Sequence, residues 1–256
     1  MRWEPGYRLK LDAGNGITRA EADALFDRAG DAPTLQAAIA AYEAMTGDPR
    51  HRFARLAEGH ILYGAAHAQG KRAKRDAYHR GIRFAERALA ENPVYLKTLD
   101  PADLGPEDMK AMLMWVTGVS YLYKECLSGF GYVLYYRWAL DSKAMIERLL
   151  SIDRGVEHGA ALFSQAIYQI GLPKKLGGDL QQAAATLAEA ESLSPGSLLI
   201  RWGRARYLYG QTGDRAAQRA DLRWVLEQDP ASGPNPYPWN RYFQDDARRM
   251  LKELEP

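Results

Sequence analysis

Four times in this chain an alanine-rich helical run ends at a polar residue followed by proline: Asp48-Pro49, Asn92-Pro93, Ser194-Pro195 and Asp229-Pro230. Proline lacks an amide proton and pushes its predecessor out of the α region, so each step marks a helix stop. The same offsets recur before each one. Ala44, Ala88, Ala190 and Val225 lie five residues before the proline, and Ala41, Ala85, Leu187 and Leu222 lie eight before it. Residues three apart share a helix face, and small side chains there make a flat surface on which a second helix packs closely. A chain with this internal repeat is built from stacked helix pairs, because one pair alone cannot bury its apolar face.

The small-residue face follows the second-helix logic of tetratricopeptide-type pairs. Thr18 and Glu21 have capping-box spacing and open a helix over 18–29, partnered by one over 34–45. The second pair spans 52–68 and 75–90, joined by the basic connector Gly70-Lys71-Arg72-Ala73-Lys74-Arg75. A later pair spans 157–170 and 179–193, with Asp179 as the cap of its second helix. Another spans 197–209 and 214–227. Pro234-Asn235-Pro236-Tyr237-Pro238-Trp239 reads as too proline-rich for helix, and a closing helix over 240–254 caps the open end of the stack. No convincing alternating strand is present. The expectation is one all-α domain over 1–256, made of tetratricopeptide-like pairs with a swollen central repeat and a C-terminal capping helix.

Composition narrows the function classes. Hydrophobic residues make up 46% and charged residues 26% of the 256, enough for an ordinary core. A net charge of +2 gives no single-signed field, so nucleic acid is not expected as a partner. One cysteine, Cys126, excludes an intrachain disulfide. The opening Met1-Arg2-Trp3-Glu4-Pro5 has no apolar leader segment, which leaves a trimmed signal or lipid anchor open. The most apolar run, from Ala111 to Tyr123, falls short of the roughly 20 residues needed to span a bilayer.

That run belongs to the swollen repeat between Pro106 and Asp153, where methionine and aromatic residues concentrate. Met112, Trp115, Val119, Leu122 and Cys126 share one helix face, while Met114, Gly118 and Tyr121 mark another, so the helix is apolar on more than one side. Burying one large apolar side chain contributes roughly 1.5 to 3 kcal/mol. Leaving some eight aromatics in water would therefore forfeit roughly 10 to 25 kcal/mol, more than a typical domain's net stability of roughly 5 to 15 kcal/mol. Core, ligand or partner must cover them. A helix buried on both sides in the middle of the packing satisfies that requirement, and so does a cavity lined by the same residues. Tyrosine carries a hydroxyl that needs a partner, and methionine suits adaptable binding surfaces. The candidate ligand-binding residues are Met112, Met114, Trp115, Tyr121, Tyr123, Phe130, Tyr132, Tyr135 and Tyr136. Gly118, Gly129 and Gly131 leave room beside them for a flat ligand or another helix.

Other chemistry is weakly supported. His60 and His67 stand two helical turns apart without a supporting carboxylate, which reads as surface or hydrogen-bonded histidine and no metal site. The basic run from Lys71 to Arg75 lacks interleaved aromatics and reads as a solvated connector. Lys174-Lys175 before Gly177-Gly178-Asp179 lacks the spacing of a phosphate loop. Cys126 has no histidine base close in sequence, Ser128 and Ser164 sit in no nucleophile elbow, and Asp245-Asp246 read as solvent-exposed. No catalytic residue, cofactor or metal is expected.

Three groups of residues carry a resemblance to a known family. They are Arg80-Gly81-Ile82-Arg83-Phe84-Ala85 with Ala88-Leu89, Pro173 with Gly177-Gly178-Asp179 and Ala183, and Asn240, Gln244, Ala247 and Leu251. From about Tyr78 onward the chain resembles the T-component proteins of TRAP transporters, periplasmic helical proteins built from degenerate tetratricopeptide pairs. The resemblance implies a periplasmic location, a periplasmic substrate-binding protein as partner, and an apolar cleft for a hydrophobic small molecule or lipid. Similar proteins accompany bacterial lipid and sterol trafficking, and the aromatic middle fits a flat ligand such as a sterol. Two functions follow as expectations: a transport protein that binds an apolar ligand, or a protein-interaction scaffold without one. A homo-oligomer is left open.

Overall fold

The computed structural model describes residues 16–174 and 177–254, without the side chain of Phe130. Regular structure among the described residues is helical throughout. Helices α1 (Arg19–Phe26) and α2 (Ala32–Ala44) form the first pair, and α3 (Pro49–Ala66) and α4 (Gly70–Leu89) the second. A short α5 (Tyr95–Thr98) and two tight turns lead to α6 (Met109–Tyr121), which continues into a π-helical turn, Leu122–Cys126. After α7 (Phe130–Leu134) and α8 (Tyr136–Ile152) come the paired α9 (Val156–Gly171) and α10 (Leu180–Leu193). Helix α11 (Leu198–Gly203) runs into a second π-helical turn, Arg204–Tyr209, and the single turn α12 (Gly210–Thr212). Helices α13 (Arg215–Glu227) and α14 (Tyr237–Leu254) complete the chain.

The helices before the four X-Pro steps, α2, α4, α10 and α13, end ahead of their prolines. The small residues counted back from those prolines are buried, with Ala44 alone half-buried. Thr18 and Glu21 form the expected capping box, and the Asp179 carboxylate accepts from the amides of Gln181 and Gln182. Two boundaries differ from the sequence reading. The basic segment from Gly70 to Arg75 is the first part of α4, so the connector is only the short stretch after His67. Lys, Arg and Ala are good helix formers, and the run joins the helix rather than the loop. Likewise Tyr237-Pro238-Trp239 forms the first turn of α14, where proline's missing amide breaks no bond.

Helix α6 lies at the centre, packed by α3, α4, α8 and α9. Gly118 allows the close approach: a Cβ there would stand 2.8 Å from Cγ1 of Ile82 and 3.2 Å from Cδ1 of Ile61. That gap is filled by neighbouring helices and not by a ligand. Helix α14 folds back over α13 and α11 and reaches α3 of the second pair. The Gln244 amide donates to the carbonyls of Val225 (3.1 Å) and Gln228 (2.7 Å), and the Asn240 amide to those of Pro230 (2.9 Å) and Asn235 (2.8 Å). These bonds satisfy backbone carbonyls in the last turn of α13 and in the segment after it that no helix could pair, and they fix where α14 begins. No described helix is long and apolar enough to cross a membrane.

Candidate functional site

One face of α6 is a continuous rail: Lys110, Leu113, Met114, Thr117, Tyr121 and, in the π-helical turn, Lys124. Steps of three and four residues, 110 to 113, 117, 121 and 124, keep these side chains in line, with Met114 beside Leu113 on the same face. The rail lines a cavity whose empty space, with the open solvent at its mouth included, is about 790 Å³. Ala160, Phe163 and Ile167 of α9 form the second wall, Leu199 and Trp202 of α11 the third, and Trp239 and Phe243 of α14 the fourth. The aromatic walls hold one another in place, with ring centroids of Trp202 and Phe243 4.7 Å apart and those of Trp239 and Phe243 5.9 Å apart. The Trp202 indole donates to Asp246 at 2.8 Å, and Arg206 pairs with the same carboxylate. Asp246 is therefore buried while Asp245 is exposed. Consecutive helix residues point about 100° apart, so only one of the pair faces the core.

The two ends of the rail differ in charge balance. At the first, the Lys110 ammonium lies 2.8 Å from Glu58 and 3.1 Å from Glu157. Glu58, only 1% exposed, also accepts from Arg55 at 2.9 Å and from the Trp239 indole at 3.1 Å. Burial alone would raise the Glu58 pKa, but Lys110 and Arg55 outweigh it and bring the carboxyl down to about 2. Burial likewise works to lower Lys110, and Glu58 and Glu157 overcome it to leave the ammonium raised. Arg55 continues the chain of charges to Asp23 on α1, 3.2 Å away. Glu157 and His158 have positive φ values of 48° and 59°, followed by Gly159 at 83°. Such a left-handed turn is strained for side-chain-bearing residues, at roughly 1–2 kcal/mol each. Its outcome is a Glu157 carboxylate aimed at Lys110.

At the other end, the two π-helical turns face each other. Lys124 Nζ sits 3.4 Å from the centroid of the Tyr207 ring, and Arg206 reaches Glu125 at 3.7 Å. No carboxylate lies within ion-pair distance of Lys124 among the described residues, and Lys124 is the one exposed residue of the lining. Burial of its ammonium, with the nearby Arg206, lowers its pKa to about 8 despite the opposing Glu125.

The nine residues expected from sequence to bind ligand fall in different places. Met114 and Tyr121 line the cavity. Met112 is fully buried in the core. Trp115, Tyr123 and Tyr135 belong to an aromatic cluster elsewhere, with Trp138 and His79. There Trp115 and Trp138 lie 6.1 Å apart, Tyr135 and Trp138 5.0 Å apart, and the Trp115 indole donates to Glu86 at 3.3 Å. The Tyr123 hydroxyl donates to the Tyr135 carbonyl. Tyr132 and Tyr136 are 47% and 49% exposed, and the Phe130 side chain lies outside the described residues. The cavity residues that sequence reasoning missed come from α3, α9, α11 and α14, from the second π-helical turn and the segment before α14, and from α6 and its π-helical turn. Only the one-face spacing of Lys110, Leu113, Thr117 and Lys124 was visible in the sequence as a signal for them.

The remaining candidates are structural in their surroundings. His60 is buried and stacked on Phe84 at 5.4 Å, and burial, with Arg80, brings its pKa to about 4. Cys126 is buried, and the Ser164 hydroxyl donates to the Ala160 carbonyl. Lys74 of the basic run pairs with Glu125 at 2.8 Å. Lys175 and the opening five residues lie outside the described residues. Among the described residues, no group of three or more His, Cys, Asp or Glu could hold a metal ion.

A family model described as TRAP transporter T-component matches residues 32–256. The chain belongs to the TRAP transporter T-component family. The matched range includes every residue that lines the cavity, so the rail and its walls are parts of the T-component itself. The family is transport-associated rather than enzymatic. A comparison with curated proteins found no match.

Proposed function

We propose that this T-component holds an apolar small molecule of lipid or sterol size in the cavity along α6 and, in the periplasm, exchanges it with a substrate-binding protein. The observation that carries this reading is the lining of the cavity: Leu, Ile, Met, Phe and Trp side chains converge on it from four helices. Ligand pockets are mostly apolar with a few placed polar groups. Magnitudes agree. A micromolar complex needs about 8 kcal/mol, and each buried methylene contributes about 0.8 kcal/mol. A chain somewhat longer than about ten methylenes therefore suffices once ordering costs are included.

Native mass spectrometry with organic extraction of the purified protein tests this reading. A stoichiometric apolar molecule is expected to co-purify, and Thr117→Trp, which fills the middle of the rail, is expected to abolish it. A protein that emerges empty and binds neither hexadecanol nor palmitate contradicts the reading.

A second reading, a protein-interaction scaffold without a small-molecule ligand, is favoured by the exposed apolar stretch around α7. Val133 and Leu134 there are 68% and 65% exposed, beside the half-exposed Tyr132 and Tyr136. It predicts partner binding that survives lipid extraction and is lost on Leu134→Asp.

A further inference from the structure

Lys110 and Lys124 stand fourteen residues apart on one face of one helix, at opposite ends of the same cavity. At about 1.5 Å per residue the rail between them is about 21 Å long. One lipid chain reaches about 15 Å, half the hydrocarbon thickness of a bilayer. The two lysines have opposite electrostatic circumstances. Lys110 is neutralised by two carboxylates, at 2.8 and 3.1 Å. Lys124 has none within ion-pair distance among the described residues, only the face of Tyr207 beneath its ammonium. One turn before it on the rail, Ser120 has a hydroxyl with no hydrogen bond among the described residues.

The other charges at this end are already matched. Glu125 is taken by Lys74 at 2.8 Å, by the Tyr78 hydroxyl at 2.6 Å and by Arg206 at 3.7 Å. Arg206 also pairs with Asp246, which Arg249 shares at 2.6 Å. Of these cations Lys124 alone has no carboxylate partner among the described residues, and it stands beside a free hydroxyl at the end of an apolar cavity. A single carboxylate matches that one unpaired ammonium.

We propose that the cavity selects a long-chain monocarboxylate, its chain along the α6 rail and its carboxylate held by the Lys124 ammonium and the Ser120 hydroxyl. This rests on the apolar-cavity reading above and specifies the polar end of its ligand. The ammonium carries its proton at neutral pH even though burial and Arg206 lower its pKa to about 8. A bound carboxylate stabilises that protonated form.

The test compares palmitate with hexadecanol, which shares the chain but lacks the charge, on the full-length protein and on Lys124→Met, which keeps an apolar stem of similar length. The wild type is expected to bind palmitate about tenfold more tightly than hexadecanol, as a charge-assisted hydrogen bond supplies. Lys124→Met is expected to lose that preference, the two ligands then binding alike, and Lys124→Arg to retain it. Palmitate affinity in the wild type falls as pH rises through about 8, while hexadecanol affinity does not. Arg206, Glu125 and Tyr207 are the charged and titratable neighbours of Lys124, and all three persist in Lys124→Met, so the loss of that pH dependence in the variant assigns it to the lysine. Equal binding of the two ligands by the wild type, or a preference that survives Lys124→Met, overturns the carboxylate proposal and leaves the apolar cavity standing. Binding of neither ligand overturns both.

Discussion

The two ends of the α6 rail hold the same residue type on the same helix face and differ in everything that surrounds it. Lys110 is enclosed by Glu58 and Glu157, and Glu58 in turn by Arg55 and the Trp239 indole. This end ties α3, α6, α9 and α14 together. Lys124 ends the same rail with no carboxylate partner among the described residues, where the two π-helical turns meet. Breaking a buried pair leaves an uncompensated charge at high cost, whereas an exposed, unpaired cation costs little to remove. A charge locked into the fold therefore belongs to its architecture, and a charge the fold leaves unmatched is available to a ligand. The π-helical geometry agrees with this division, since such turns within helices recur at functional sites.

The largest effect expected from breaking this contrast is at Glu58. Glu58→Gln leaves Arg55 and Lys110 short of a counter-charge and should destabilise the protein by about 3–5 kcal/mol in urea unfolding. An unchanged unfolding midpoint would remove the clasp from the account. The pH dependence has a definite sign. Glu58 has a folded pKa of about 2, below its ordinary 4.5. Its contribution is thus complete above that ordinary value and is lost as pH falls toward about 2. The stability gap between wild type and Glu58→Gln should close over that acid range.

Next in size is the opposite side of α6. Trp115→Phe keeps the ring packing but withdraws the indole donor from Glu86, a carboxyl whose pKa burial has raised. A cost of about 1–3 kcal/mol is expected by thermal unfolding, with hexadecanol affinity unchanged. A large loss of affinity would move the ligand from the cavity to the aromatic cluster. Thr117→Trp should do the reverse, lowering the affinity for hexadecanol and palmitate at least tenfold in titration calorimetry, with a native circular dichroism spectrum. The smallest effect belongs to Lys124→Met, which should change unfolding free energy by less than about 1 kcal/mol.

The helical scaffold was legible because its signals are local. Proline steps, the Thr18 capping box and the Asp179 cap act within a few residues, and each is realised where the sequence places it. The second face of the central helix was legible too, since Met114 and Tyr121 follow helical spacing onto the rail. The walls opposite were not. Trp239 meets Glu58 across 181 positions of sequence, a contact set by how the pairs stack and by where α14 folds back. Lys110, Glu157 and Lys124 carry no local signal, because nothing in the neighbouring sequence distinguishes a lysine with two carboxylate partners from one with none. The richness of the middle segment in aromatics also hid a division. Helix α6 is covered on one side by the cavity and its walls and elsewhere by the cluster of Trp115, Tyr135 and Trp138, and composition counts the two together.

The most direct test of the central claim is to locate a bound chain. Crystals of the protein with stearate brominated at mid-chain, measured at the bromine absorption edge, report where that chain lies. The account predicts anomalous density between Met114 and Tyr121, facing Phe163 and Trp202 across the cavity. Bromine density among Trp115, Tyr135 and Trp138, or on the exposed tyrosines of α7 and α8, would contradict it.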